Sequence, residues 1–471
     1  MSQSAATKHT ERCTSVGVVL AAAAIAAFSA HDYAGGWNDG SRLATVEALV
    51  DQHTLAIDST IFIRTPESAD AAPNPYDPGN EALRNEGTKD KLFIDGHYYS
   101  DKSPLPAVLL AGWYQLLQAT TGLAARERPR LFCYWMTLGL SGLAYVVSVW
   151  SVYRIAAGVG LAIRHRLLLA GSLGLATVAL PYARHVNNHI ALLAIVGLLM
   201  LALHLAANAH GPQLWWRLSQ IGTLAGLGYT FDLGVGPVLL LCTGGWTWLH
   251  TRRVGALVCV AMAALPWLAA HHALNYAVGG TWAPANARPE YLNWPGSPFS
   301  AANMTGGWAH HSVGHFLLYA AALLIGKHGF VNYNLPLYLA LPGIVVLWRA
   351  RSDARPELGF VGALIGGTWL LYAAASNNYS GPCCSIRWFV PLLAPAFYAL
   401  AMLLRERPAA VRDLVVLSSF GAALSAILWW RGPWPGDVLA SMWFLNILAL
   451  VSWWLVAWRQ TRATNGPEAD S

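Results

Sequence analysis

From about residue 131 to residue 458 the sequence is mostly apolar, one long run following another across short polar connections and a single long one, 279–331. Runs of this kind suit helices that cross a bilayer, where the backbone must satisfy its own hydrogen bonds. Only 11% of the residues are charged and 55% are hydrophobic, against about 25% charged in a soluble domain. The fold class is therefore an all-α polytopic membrane protein, a single multispan domain over 1–471 that lies among membrane lipids. The net charge of +6 is scattered through short loops rather than gathered on one face, which leaves no nucleic-acid role.

About twelve spans are expected, near 16–28, 131–153, 167–182, 190–207, 218–230, 236–249, 254–276, 335–348, 358–375, 388–404, 414–430 and 438–458. Lys8 and Arg12 precede the first run, which reads as an uncleaved span; the alternative is a signal peptide with Ala27-Phe28-Ser29 as a poor cleavage site. One further apolar stretch, 105–125, decides the topology. If it stays outside as a surface or re-entrant helix, both termini are cytoplasmic. The cytoplasmic connections then carry Arg154, Arg164, Arg166, Arg217, Arg252, Arg253, Arg349, Arg351, Arg355, Arg405, Arg407 and Arg412. The outer connections after 131 carry only Arg184, Arg288, Lys327, Arg387 and Arg431. Making 105–125 a span reverses this bias, against the positive-inside rule.

In this topology the polar, motif-rich connections all face outward. They are a first outer loop (31–130), the turn 182–189, a second long outer loop (279–331), and the stretches 376–387 and 431–437. Within the first loop, Leu43, Val46, Leu49 and Val50 share one face of a helix over 39–52, amphipathic enough to lie along the membrane surface. Residues 64–90, rich in Pro, Asn, Asp, Glu and Gly, read as an exposed loop.

Several outer residues can carry chemistry. Asp39 can act as a general base, or simply cap its helix. Lys102, in Tyr99-Ser100-Asp101-Lys102-Ser103-Pro104, can hold a lipid phosphate or snorkel toward headgroups, and Asp101 can orient it or start the next helix. Arg184 through His189, with Asn188 between, puts polar side chains at a membrane edge, where they need water, a cavity or a partner. Asp232, near Gly234 and Gly236, is a weaker signal of the same kind. Trp294 and Trp308 can stack on sugar rings or belong to an interfacial belt. Arg387 can grip a phosphate with its guanidinium fork, or merely flank a span. Cys383-Cys384 can form a vicinal disulfide or remain two small reduced residues. His310, His311 and His315 have no nearby carboxylate to complete a metal site.

Asp39-Gly40-Ser41-Arg42 and Lys102-Ser103-Pro104-Leu105, in this order around a first outer loop, resemble the GT-C superfamily of integral-membrane glycosyltransferases. The likeness is to the protein O-mannosyltransferase and lipid A aminoarabinose transferase group. There the first outer loop opens with an Asp-Glu pair and closes with a Lys-Pro-Pro-Leu-like motif leading into a surface helix. The resemblance implies inverting transfer of a sugar from a polyprenyl-phosphate donor to a glycan, lipid or protein acceptor, without metal or other cofactor. It implies a bacterial inner membrane with the site at the outer face. Asp39 matches the family's base and Lys102 its phosphate ligand, with Arg387 and Arg184 as further phosphate ligands. Arg42, Asp101, Asn188, His189, Trp294 and Trp308 are the expected substrate contacts. The chain departs from the pattern at Gly40, where the family has an acid, at Ser103, where it has proline, and at Asn187-Asn188-His189, where many members carry an acid. The competing expectations are a transporter or flippase for a lipid-linked substrate, and a non-catalytic GT-C-like subunit.

Overall fold

The computed structural model describes residues 3–64, 73–300, 306–350, 354–434 and 438–464, without the side chains of 3–8 and 460–464. Parts of the expected loops 64–90, 279–331 and 431–437 lie outside the described residues, as do Arg351 and the side chain of Lys8.

The first helix, α1 (Gln3–Ser29), leads into the insert, which comprises α2 (Trp37–Asp51), α3 (Glu81–Glu86), strands β1 (Lys91–Ile94) and β2 (His97–Ser100), and α4 (Pro104–Thr121). A helical bundle follows. It begins with α5 (Pro129–Thr137), which continues through a π turn into α6 (Leu143–Gly158), then α7 (Ile163–Leu175), α8 (Ala179–Tyr182), α9 (Asn188–Ala206) and α10 (Gly211–Phe231). It continues with α11 (Val235–Thr251), α12 (Val254–Gly279), α13 (Val313–Ile325), α14 (Leu337–Arg349), α15 (Arg355–Ala375), α16 (Leu393–Glu406), α17 (Ala410–Arg431) and α18 (Ala440–Thr464).

Among the described residues, 8 helical segments are long and apolar enough to cross a membrane, so the chain is a multi-pass membrane protein. The four other expected spans, 167–182, 218–230, 236–249 and 335–348, are helical too, but are shorter or more polar, and the first is broken after Leu175. The stretch 105–125 is not among the eight. It forms α4, which packs on α2 through Tyr114 Oη donating to Asp51 Oδ2 at 2.9 Å and Gln118 Nε2 donating to Asp51 Oδ1 at 2.8 Å.

The insert has a core of its own. Leu43, Val46, Phe62, Tyr76, Leu110, Tyr114 and Phe132 are buried together, apart from the main core of the bundle. Each such side chain contributes about 1.5–3 kcal/mol on burial, enough to hold the insert as a folded cap on the bundle. The surface-lying helix expected over 39–52 is corrected here: α2 is buried on every face from Asn38 to Ala48, polar residues included. The insert wraps around it, so its polar side chains point into protein rather than water. Gly40 is part of that packing. A Cβ there would meet Tyr76 Oη at 2.7 Å, and Tyr76 is anchored by donating to Phe62 O at 2.7 Å. An acid has no room where the family pattern has one.

The antiparallel hairpin β1–β2, with Lys91 opposite Ser100, was not expected from the sequence. Leu92 and Ile94 pack against Ala285 and Leu292, joining the first outer loop to the second.

Candidate active site

Six separate stretches meet around one cavity of about 490 Å³. Asn38 and Arg42 come from α2; Asp101, Lys102 and Ser103 from the turn into α4; Asn188 and His189 from the start of α9. Asp232 comes from the turn between α10 and α11; Asn286 and Phe299 from the second outer loop; Tyr372, Arg387 and Trp388 from the end of α15 and the following stretch. The first insert, the turn 182–189, the second outer loop and the stretch 376–387, all placed on one face by the charge pattern, thus converge.

Lys102 Nζ lies 2.7 Å from Asp90 Oδ2 and 2.8 Å from Asp101 Oδ2. Its charge is already matched by two largely buried carboxylates. Burial pushes the Asp101 carboxyl up, against the pull of Lys102 and Arg42. The two guanidinium groups differ. Arg42 is 5% exposed, and its Nε has only a long 3.4 Å contact to Asn38 Oδ1; its Nη1 has no partner among the described residues. Burial lowers its pKa to about 10. Arg387 Nε is likewise buried without a partner.

Asp232 Oδ1 is fully engaged. It accepts from Gly234 N at 2.9 Å, Val235 N at 3.1 Å and Tyr372 Oη at 2.8 Å. Its Oδ2 is freer, with Asn188 Nδ2 at 3.5 Å and His189 Nδ1 at 3.7 Å. Tyr372 is held in turn by Trp388, stacked with ring centroids 4.3 Å apart. Asp101 Oδ1, Asn188 Oδ1 and His189 Nδ1 are also buried without partners among the described residues. A cavity lined by orphaned donors and acceptors is built for a polar ligand, since leaving each such group unsatisfied costs about 1–3 kcal/mol.

Four expected contacts lie elsewhere. Asp39 does not line the cavity. Asn38 and Arg42 are one helical turn apart and face it, which turns the next residue, Asp39, away by about 100°. Its carboxylate folds back to accept from Gly35 N at 2.6 Å, and Oδ2 lies 3.5 Å from His185 Nδ1. Burial raises its pKa to about 7, backbone N–H groups opposing the shift. Arg184 is hydrogen-bonded to His31 and 5.1 Å from the Trp429 ring, and does not line the cavity. Burial, with Arg184 adding to it, lowers the His31 pKa to about 4. Trp294 is structural: its Nε1 donates to Lys91 O at 3.1 Å and Lys91 Nζ lies over its ring. Trp308 is 61% exposed and stands beside His310 and Phe316. Both cysteines at 383 and 384 are buried and free.

Asp90, Asn286, Phe299, Tyr372 and Trp388 were missed. Tyr372 and Trp388 look like span residues in the sequence; Asp90 is one of many acids in a polar loop. Only Asp232 carried a signal, its neighbouring glycines.

No protein-family model matches the chain, and no curated protein matches it in sequence. Among solved structures it is similar to ArnT from Cupriavidus metallidurans bound to undecaprenyl phosphate, at 12% identity and a TM-score of 0.48, over 94% of this chain and 75% of that one. The apo state of the same protein gives 13% and 0.49, over 96% and 76%. The apo oligosaccharyltransferase of Archaeoglobus fulgidus gives 11% and 0.46, over 93% and 54%. At these scores the likeness decides nothing about chemistry, which rests on the cavity itself.

Proposed function

We propose that the chain is a membrane glycosyltransferase that moves a sugar from a polyprenyl-phosphate donor to a hydroxyl or amine of a glycan, lipid or protein acceptor, at the outer face of a bacterial inner membrane. The observation that carries this reading is the pairing, in one cavity at the helix ends, of two incompletely partnered guanidinium groups with a carboxylate whose second oxygen is held only by long contacts to Asn188 and His189. The cations suit a phosphate; the carboxylate suits a proton.

The acceptor attacks the anomeric carbon from the face opposite the phosphate. A bond forms there as the carbon–oxygen bond to the phosphate breaks, and the bonding pair leaves on the phosphate oxygen. Arg387 and Arg42 meet that developing charge, with Lys102 lining the same cavity. The acceptor proton passes to Asp232 Oδ2. The sugar leaves with inverted configuration. Asp232, rather than Asp39, is assigned the base because it lines the cavity, while Asp39 is turned into its own helix start.

A transporter needs a site reached alternately from both faces near mid-membrane; this cavity is built from loops and helix ends. The test is transfer from polyprenyl-phosphate sugars by the purified full chain in nanodiscs. Turnover is expected in the wild type. Donor movement across the bilayer without sugar transfer would support the transporter instead.

A further inference from the structure

His271 lies within α12, is 1% exposed and is not itself part of the cavity wall described above. A buried titratable side chain inside a span needs a reason to be there. Its hydrogen bonds form one directed chain. Ala285 N donates to Asn275 Oδ1 at 3.1 Å. Asn275 Nδ2 reaches His271 Nε2 at 3.1 Å, and His271 Nδ1 reaches Ser103 Oγ at 3.2 Å. Ser103 Oγ donates to Thr230 O. Because the serine proton is used on Thr230, Ser103 must accept from His271. Asn275 Nδ2 can only donate, so Nε2 must accept. The imidazole is therefore neutral, with its proton on Nδ1.

The chain ties together three pieces of the cavity. Ser103 follows Lys102. Thr230 precedes Asp232 by two residues. Ala285 precedes Asn286, whose Nδ2 donates to Asp101 O at 2.9 Å. Ser103 is also where the sequence departs from the family's proline, and proline has no hydroxyl to join such a chain.

Resting on the proposed transferase reading, we infer that His271 is a positioning residue: its two-sided hydrogen bond holds the Lys102 turn, the Asp232 turn and the second outer loop at the spacing the donor phosphate requires. The proposal names the linkage Ala285–Asn275–His271–Ser103–Thr230 as the device that sets the cavity.

The test compares His271→Leu, which removes both bonds, with His271→Asn, whose amide can still donate toward Ser103. Three readouts are taken on the full chain in nanodiscs: hydrogen exchange over 98–104 and 283–288, donor and acceptor KM with kcat, and the thermal midpoint. His271→Leu is expected to speed exchange in both segments and raise the donor KM by about tenfold, the loss of one hydrogen bond to the spacing of the site. The midpoint should fall modestly, because Ser103 Oγ and Asn275 Nδ2 each lose a partner, while the acceptor KM should stay near wild type, and His271→Asn should recover most of the donor effect. Unchanged exchange in His271→Leu overturns the proposal. So do donor and acceptor KM rising together with no recovery in His271→Asn, which marks a merely structural histidine. If the wild type transfers no sugar, the transferase reading fails, and the exchange comparison alone still decides the linkage.

Discussion

Arg387→Ala separates ligand binding from folding. The Arg387 side chain makes no ion pair among the described residues, and its Nε is buried without a partner. Truncating it leaves no carboxylate uncompensated, so the thermal midpoint should hardly move. A donor phosphate bound as proposed would, in contrast, lose a charge-assisted hydrogen bond of about 1.5–3 kcal/mol. At about 1.4 kcal/mol per tenfold, donor kcat/KM should fall about 10- to 150-fold. Lys102→Ala is the contrasting variant. It strands Asp90 and Asp101, which sit 2.7 and 2.8 Å from Nζ, and breaking a buried pair costs about 3–5 kcal/mol. The assay is donor titration in nanodiscs alongside thermal unfolding. Wild-type donor kinetics in Arg387→Ala would refute the phosphate assignment; a midpoint drop matching that of Lys102→Ala would refute the statement that Arg387 is uncommitted in the fold.

Asp39 has a stability signature. Between its ordinary value of 3.8 and about 7, the folded chain keeps a proton on Asp39 that the unfolded chain has lost, so this group lowers stability as pH rises through that window. Asp39→Asn should therefore gain on the wild type in unfolding midpoint from pH 4 to pH 8; parallel curves would contradict the burial argument. Gly40→Ala drives a Cβ toward Tyr76 Oη and should cost about 1–3 kcal/mol in denaturant unfolding, an unchanged midpoint showing that the Tyr76 contact is not tight. Trp308→Ala should leave donor and acceptor KM unchanged, because the side chain is exposed and does not line the cavity; a raised acceptor KM would restore it as a sugar contact.

The membrane class was legible because span length and charge scarcity are properties of the chain itself. The charge bias set 105–125 apart as a surface or re-entrant helix, and in the fold α4 contributes to the insert's core. What failed was the direction of individual side chains. Asn38, Asp39 and Arg42 are all polar and close in sequence, and only the helix phase shows that the outer two face the cavity. The burial of α2 was equally hidden, since its polar face meets other parts of the insert from 14 to 59 residues away. Trp294 illustrates the same limit: an aromatic in a polar loop suits a sugar contact or a packing contact, and the hairpin it holds left no pattern strong enough to read. Lys102 and Arg387 were named as outer phosphate ligands and Arg42 as a substrate contact through the resemblance, and these the fold does bring together.

The most direct measurement is the transfer reaction with the base removed. Full-length chain in nanodiscs is given a polyprenyl-phosphate sugar of known anomeric configuration, and the product is read by NMR for wild type, Asp232→Asn and Asp39→Asn. The account predicts an inverted product, a kcat about 10²- to 10⁴-fold lower in Asp232→Asn, and turnover in Asp39→Asn within about tenfold of wild type. A retained configuration, or a wild-type rate in Asp232→Asn with loss in Asp39→Asn, would contradict it.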